Sequence, residues 1–344
     1  MTNRIVVLSL LLAGSFCFLG SIQLGKGMLE SHQQFGSWTQ DLKREYGSIF
    51  EYLYRLSIFH ANRLKIDAHN AGNHSFTMGI NKFADLTSDE FMARYTTKFP
   101  VPTPSMQSEI GTSASKESQS QDVKLDNEVN WVEKGMVNPI RDQGLCGSCY
   151  AFASIAAIES AYAIANGKLL KFSEQQIVNC GHDFSNILGG CNGGFMIPVF
   201  DMAITNGVFD LEKIPYQEEQ QSCDSSIQPF VNLKSYTKLS PITMKALLGE
   251  IMVGPVAIDV EVTPIYQFYK SGVMNNKAPC GFFPNHAVTA VGYKTDTDIP
   301  YLLIRNSWSE SWGEGGYFKH SIGDLDSTGT CGIADVHAAR PSFV

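Results

Sequence analysis

The sequence predicts an α+β protein in which a helical half precedes a β half, with a further helical unit ahead of both. Three observations predict it. From Cys149 to Asn206, apolar residues recur at helical spacing and are punctuated by glycines. After Pro255 the texture changes to β-branched and alternating runs. Ahead of both, a polar Ser/Thr/Pro-rich stretch over residues 100–122 separates off the N-terminal third. The chain has 344 residues, room for two folding units of about 100–200 residues or one unit plus processed segments.

The elements follow in order. Arg4 precedes an apolar run from Ile5 to Leu19, closed by Gly20-Ser21, which reads as a secretory signal over residues 1–21. Ser9, Gly14 and Ser15 interrupt the run, and it is short for a ~20-residue membrane span. Residues 30–70 read as helical, with Trp38, Leu42, Tyr46, Ile49, Phe50, Leu53, Leu56, Phe59 and Ile66 at spacings of three and four. Gly72-Asn73 stops that pattern, and His74–Phe83 shows strand-like alternation. Thr87-Ser-Asp-Glu90 is a capping box for a short helix. Residues 22–99 thus form one segment, 100–124 a linker open to proteolytic nicking, and 125–344 the second unit. In that unit, helices are expected over Cys149–Ala165, after the capping box Ser173-Glu-Gln-Gln176, and over Phe195–Asn206. Strands are expected over Val256–Val262, His286–Tyr293, Tyr301–Asn306 and Gly316–His320. A cleft between the two halves is the natural place for a site.

Charge and composition narrow the function. Hydrophobic residues are 44% and charged residues 17%, an ordinary globular balance. The formal charge is -8, which argues against nucleic-acid binding. It is unevenly spread: residues 1–124 hold 12 basic and 11 acidic side chains, the remainder 14 and 23. Seven of the 8 cysteines lie between Cys146 and Cys331, an odd number that suggests three disulfides and one free thiol.

The segment Gln143-Gly-Leu-Cys-Gly-Ser-Cys-Tyr-Ala-Phe152 places Cys149 where a Gly-rich loop becomes a helix. A thiolate there is stabilised by unpaired amides and the positive end of the helix dipole, as a nucleophile requires. Cys146-x-x-Cys149 also fits a redox pair or half a zinc site. The zinc reading needs a second ligand pair, and the redox reading a βαβ pattern. Neither is present in the sequence, so no metal or cofactor is expected.

Cys-Gly-Ser-Cys-Tyr resembles the signature of the papain family of cysteine proteases, in which the second Cys is the nucleophile. His286, 137 residues downstream, opens Asn285-His-Ala-Val-Thr-Ala-Val-Gly-Tyr293, which is similar to the family's catalytic-His strand. His182, His320 and His337 read as structural or surface residues. Asn306 lies in Arg305-Asn-Ser-Trp308, followed by Trp312-Gly-Glu-Gly-Gly-Tyr317, and resembles the family's Asn-Ser-Trp block. The resemblance implies that Asn306 orients the imidazole, that Trp308 shields that bond, and that Gln143 donates to the oxyanion. It implies the pairs Cys146 with Cys191, Cys180 with Cys223 and Cys280 with Cys331. Residues alone leave 15 pairings open for six cysteines. Gly193-Gly194, an ordinary turn by itself, matches the cleft wall that pairs with an extended peptide. Met196, Ala287 and Val336 match positions lining the pocket for the second residue upstream of the cut.

The N-terminal unit extends the resemblance. Glu51, Arg55, Phe59, Asn62, Ile66 and Asn70 are spaced 4, 4, 3, 4 and 4 along one helix face, as in the propeptides of cathepsin L-like enzymes. Gly79, Asn81, Phe83 and Asp85 match a second propeptide motif. The implied protein is a papain-like two-lobed enzyme, with a helical lobe and a β-barrel-like lobe. It is a cysteine endopeptidase made as a zymogen, with residues 22–99 an inhibitory propeptide and 125–344 the mature domain. Implied partners are protein and peptide substrates, the chain's own propeptide and cystatin-like inhibitors. The chain is expected to be a monomer routed through the secretory pathway to a lysosome, an acidic vacuole or the exterior. Asn73-His-Ser75 is a glycosylation sequon.

Three departures stand out. Tyr150 follows the nucleophile where Trp is commoner. Asn285 precedes His286 where some relatives carry Asp. Asp259 falls at a pocket position that relatives fill with an apolar residue; it either faces the pocket and tolerates a basic side chain there, or turns to solvent. A non-catalytic relative would lack one of Gln143, Cys149, His286 or Asn306, and an exopeptidase would carry a plug where Gly181–Gly190 is short.

Overall fold

The computed structural model describes residues 27–97, 115–117, 124–239, 242–275, 280, 284–334 and 338–344. The expected signal peptide, most of the 100–124 linker, Val336 and His337 lie outside the described residues. The chain divides into two compact units, residues 1–72 with 80–87 and residues 73–79 with 88–344.

The first unit corrects one expectation. Residues 30–70 are not one helix but two, α1 over residues 27–41 and α2 over Ile49–Asn70. Lys43 has φ 52, off the helical path, and the chain restarts at a capping box. Ser48 Oγ accepts from Glu51 N, while Glu51 Oε2 accepts from Gly47 N at 3.0 Å. The apolar spacing continues through the break because both helices bury one aromatic cluster: Phe35 packs on Trp38, Tyr46 and Phe59 at 5.7, 5.9 and 5.3 Å. Asn81, Phe83 and Asp85 of the second propeptide motif meet the first within this unit. Asn62 Nδ2 donates to the carbonyls of Ala84 and Leu86, both at 2.9 Å. Arg55 Nη1 donates to Asp85 O, and Tyr46 OH to the Asp85 carboxylate, both at 3.0 Å. Asn81 Oδ1 accepts from Phe83 N at 2.9 Å. Phe59 and Ile66 are buried, and Asn70 ends the helix exposed.

In the second unit, the expected alternation over His74–Phe83 shrinks to β1, Phe76–Met78, followed by α3, Ser88–Tyr95. β2, Ser115–Glu117, is a short strand inside the expected linker, and β3 spans Glu128–Asn130. The helical half holds α4 (Cys149–Asn166), α5 (Glu174–Phe184) and α6 (Met196–Thr205). Gly167 ends α4 with φ 67, a left-handed turn that a Cβ would strain. Ser173 caps α5 by accepting from Gln176 N. After β4 (Ser235–Lys238) comes α7, Met244–Val253, a helix absent from the expectations. The remaining strands are β5 (Val256–Val260), β6 (Tyr269–Met274), β7 (His286–Lys294), β8 (Tyr301–Arg305), β9 (Tyr317–Ser321) and β10 (Ala339–Ser342). They run in the order β1-β6-β9-β8-β7-β5-β10-β4-β2, with β3 paired to β7.

The two halves are fastened beneath the site. Thr289 Oγ1 on β7 donates to Ala153 O on α4 at 3.1 Å. Arg141 forks between two carboxylates, Nη2 to Glu159 Oε1 at 2.6 Å and Nη1 to Glu174 Oε1 at 2.5 Å. Both carboxylates are at most 2% exposed. Arg305 is also buried and donates to Pro139 O at 2.7 Å. Disulfides join Cys146 to Cys191, Cys180 to Cys223 and Cys280 to Cys331, and Cys149 is the free thiol among the described cysteines.

Candidate active site

Cys149 is the first residue of α4 and fully buried. Its loop is held by several bonds at once. Gly147 N donates to Cys191 O at 2.9 Å, so close that a Cβ on Gly147 would sit 2.6 Å from that oxygen. Tyr216 OH donates to Gln143 O at 2.8 Å and lies 2.6 Å from the Ser148 hydroxyl. Neither Tyr216 bond was visible in the sequence, because residue 216 is remote and carries no motif.

Gln143 reaches the same loop from the other side. Residues 141–143 run antiparallel to 307–309, with Asp142 bridged to Trp308 and Gln143 N donating to Ser307 O at 2.9 Å. Ser307 Oγ donates to Gln143 Oε1 at 2.6 Å, which fixes the amide so that Nε2 points at the loop, 3.1 Å from Cys146 O.

His286 opens β7 and is fully buried. Its Nε2 lies 2.8 Å from Asn306 Oδ1, and Trp308 stacks on the ring at 4.6 Å between centroids. Asn306 Oδ1 also accepts from Ser307 N at 2.8 Å. Trp312 packs edge-on to Trp308 at 4.9 Å and is anchored by its own Nε1 to Tyr266 O. Asn285 clasps Val262 twice, Oδ1 accepting from Val262 N at 2.8 Å and Nδ2 donating to Val262 O at 2.9 Å. An Asp there has no N–H for the second bond. Gly193, with φ 108, lies against Thr97, and Gly194 against the Tyr150 ring. Met196, Asp259 and Ala287 are each at most 1% exposed, so Asp259 does not turn to solvent.

The segment after α3 covers the thiol. Thr97 N donates to Asn285 O at 2.7 Å, and Thr97 Oγ1 lies 3.4 Å from Cys149 Sγ. Phe91 and Tyr95 of α3 meet Trp308 edge-on at 5.3 and 6.4 Å. Alongside runs a cleft of about 940 Å³ lined by Arg94, Thr97, Leu145, Asn192 and Glu261 among others. Thr97 escaped the sequence reading because its role depends on where α3 delivers the chain, not on any local pattern.

This cover sets the charge states. Burial pushes the Cys149 thiol up, against the Thr97 hydroxyl and the N–H groups of Ala287 and Tyr150; the Asp259 charge raises it further. Burial pulls His286 down to about 4, opposed by its Asn306 bond. Thiol and imidazole are therefore both neutral in the covered form near neutral pH. Among the described residues, no cluster of three His, Cys, Asp or Glu side chains is placed to hold a metal ion. None of their helices is long and apolar enough to cross a membrane.

Comparison with known proteins places this arrangement. Residues 125–340 match the family described as papain family cysteine protease, and residues 35–91 match the cathepsin propeptide inhibitor domain (I29). Chymopapain of Carica papaya is 35% identical, over 88% of this chain and 84% of its own. A recombinant stem bromelain precursor superposes with a TM-score of 0.80 at 31% identity, covering 91% of this chain and 99% of that one. Digestive procathepsin L 3 of the Tenebrio molitor larval midgut does so with a TM-score of 0.79 at 29% identity, covering the same 91% and 99%. The chain belongs to the papain family of cysteine proteases and carries that family's inhibitory propeptide domain ahead of the protease domain.

Proposed function

We propose that Cys149, His286, Asn306 and Gln143 are the catalytic residues of an endopeptidase that its own residues 22–99 hold inactive. The observation that carries this reading is the free thiol at the start of α4, roofed by Thr97 at 3.4 Å, together with a His286–Asn306 pair at 2.8 Å. Once the cover leaves, water returns to both groups. The thiol proton passes to His286, and the resulting ion pair is stabilised by proximity. Cys149 Sγ attacks the peptide carbonyl carbon. Gln143 Nε2 and the Cys149 N–H donate to the oxyanion that forms. The C–N bond breaks as His286 gives its proton to the leaving amine. His286 then takes a proton from water, whose oxygen displaces Sγ from the thioester. Asn306 fixes the ring and Trp308 keeps water off that bond. Gly193, Gly194, Met196, Asp259, Ala287 and Val336 are assigned to the substrate cleft.

The reading extends to routing and assembly. The N-terminal apolar run and three disulfides support passage through the secretory pathway, to an acidic compartment or outside the cell. Maturation is assigned to the stretch between Pro100 and Asn127. The mature enzyme is read as a monomer open to cystatin-like inhibitors.

The pH dependence has a definite sign. The covered form holds His286 at about 4 against an ordinary 6.5. The uncovered ion pair holds the same single proton as the covered neutral pair. Net uptake begins only at acid pH, where the uncovered thiolate protonates as well while covered His286 is still neutral. Falling pH therefore drives uncovering, by up to about tenfold per pH unit for the one proton. The test is to incubate the precursor with a thiol-reactive epoxide at acid and at neutral pH and map the label. The expected result is faster labelling at acid pH, on Cys149. A processed protein carrying no label on Cys149 overturns the catalytic assignment.

A further inference from the structure

One phenol ties together the two ends of the loop that leads into Cys149. Tyr216 OH donates to Gln143 O at 2.8 Å, while Cys146 N reaches the same carbonyl at 3.4 Å. A phenol has one proton, so in the 2.6 Å contact with Ser148 the serine hydroxyl is the donor. Burial pushes the phenol well above its ordinary value, against the Ser148 bond, so Tyr216 keeps its proton to give. The Ser148 hydroxyl caps no amide of α4, and its distance to Cys146 O is longer, 3.5 Å. The phenol is itself held in place. Gln175 of α5, fully buried, accepts from Gln217 N and donates to Glu219 O, both at 2.7 Å. The Glu218 side chain lies against Gly144 and leaves no room for a Cβ there. The Tyr216 ring packs edge-on to Phe152 of α4 at 4.8 Å.

We propose that Tyr216 is a positioning residue for the oxyanion site, its hydroxyl setting the spacing between the Gln143 amide and the Cys149 N–H. This rests on Cys149 being the nucleophile. The two donors stand six residues apart in the chain, with Gly144 and Gly147 between them. Glycines make such a loop a soft spacer. Tyr216 bridges across it, from the residue that carries one donor to the residue just before the other. The donors are thereby set in place before charge develops on the substrate, which is the condition under which they contribute most. Losing a whole donor typically costs ~10²–10³ in rate, so loosening the spacing of both is expected to cost about tenfold.

The test compares the matured wild-type enzyme with Tyr216→Phe, which keeps the ring against Phe152 and removes only the hydroxyl. Both are normalised by epoxide titration of the active site, so that misfolded protein drops out. The readings are kcat and KM for a peptide, the affinity of the matching peptide aldehyde, and the rate and pH profile of alkylation by iodoacetamide. Cys149 Sγ adds to the aldehyde carbon while the thiol proton passes, by way of His286, to the aldehyde oxygen, which takes the oxyanion's place. Alkylation needs the thiolate but no oxyanion donor. The expected result is a fall in kcat of about tenfold with KM within about twofold, and a matching loss of aldehyde affinity. The alkylation rate and its pH profile are expected to stay as in wild type. Ser148→Ala breaks the other arm of the tether and is read in the same way if Tyr216→Phe yields no titratable thiol. A kcat within about threefold of wild type, an unchanged aldehyde affinity, or alkylation that falls in step with kcat overturns the proposal. Absence of epoxide label from wild-type Cys149 overturns the reading beneath it, which the titration reports separately.

Discussion

Cys149→Ala is expected to lose peptide hydrolysis by about 10⁴-fold or more while remaining folded. The loss is large because nothing else at the site forms the acyl bond. His286 and Asn306 would still pair at 2.8 Å, and Gln143 would still be held by Ser307. They would orient and polarise a carbonyl with no nucleophile to attack it. Folding survives because the thiol makes no disulfide, and its removal leaves a space of one sulfur atom within a packed loop. The variant precursor should also keep its full length at acid pH, where wild type is expected to be cut, and be cut when a little active enzyme is added. Peptide hydrolysis and a gel of the acidified precursor read both results. Hydrolysis within tenfold of wild type would remove Cys149 from the mechanism.

Arg141→Ala is expected to destabilise the second unit by about 3–5 kcal/mol, because two buried carboxylates would be stranded without their cation. Arg141 bridges Glu159 and Glu174, whose side chains are at most 2% exposed. Burial already pushes the Glu174 carboxyl up, and Arg141 is the first influence holding it down. Without the guanidinium, Glu174 stays in the interior with Glu159 beside it and favours its protonated form. The defect should therefore be largest at neutral pH and shrink as pH falls and Glu174 protonates. At about 2–4 °C per kcal/mol for a unit of this size, the melting temperature drops by roughly 10 °C. Thermal melts at neutral and acid pH measure it. A shift under about 3 °C at neutral pH would mean that the network contributes little.

How much of this was legible depends on whether the signal was local. The β5, β7, β8 and β9 strands could be read from β-branched alternation, because each packs within one sheet. α4 and α5 could be read from the stop at Gly167 and the cap at Ser173. α7 was missed although Thr243 caps it by accepting from Ala246 N, since no Glu or Gln stands three residues on to complete a box. The break before α2 was missed in the opposite way. Ser48 and Glu51 do form a box, but the apolar spacing runs on through it to feed one aromatic cluster. At the site, the residues in contiguous motifs could be named from sequence. Thr97, Tyr216, Arg141 and the Asn285–Val262 clasp could not, because each acts on a group many residues away or through backbone atoms that carry no sequence signal.

The cover over Cys149 has a consequence for the chemistry of sulfur itself. A low-pKa, accessible thiolate is the kind that peroxide turns to sulfenic and then to irreversible sulfinic acid, and the kind that attacks disulfides. In the precursor the thiol is fully buried, held in its protonated form and roofed by Thr97. It is withheld from oxidants. The covering segment thus keeps the sulfur from oxidant as well as from substrate. Removing it opens the site to substrate and to oxidant at the same moment.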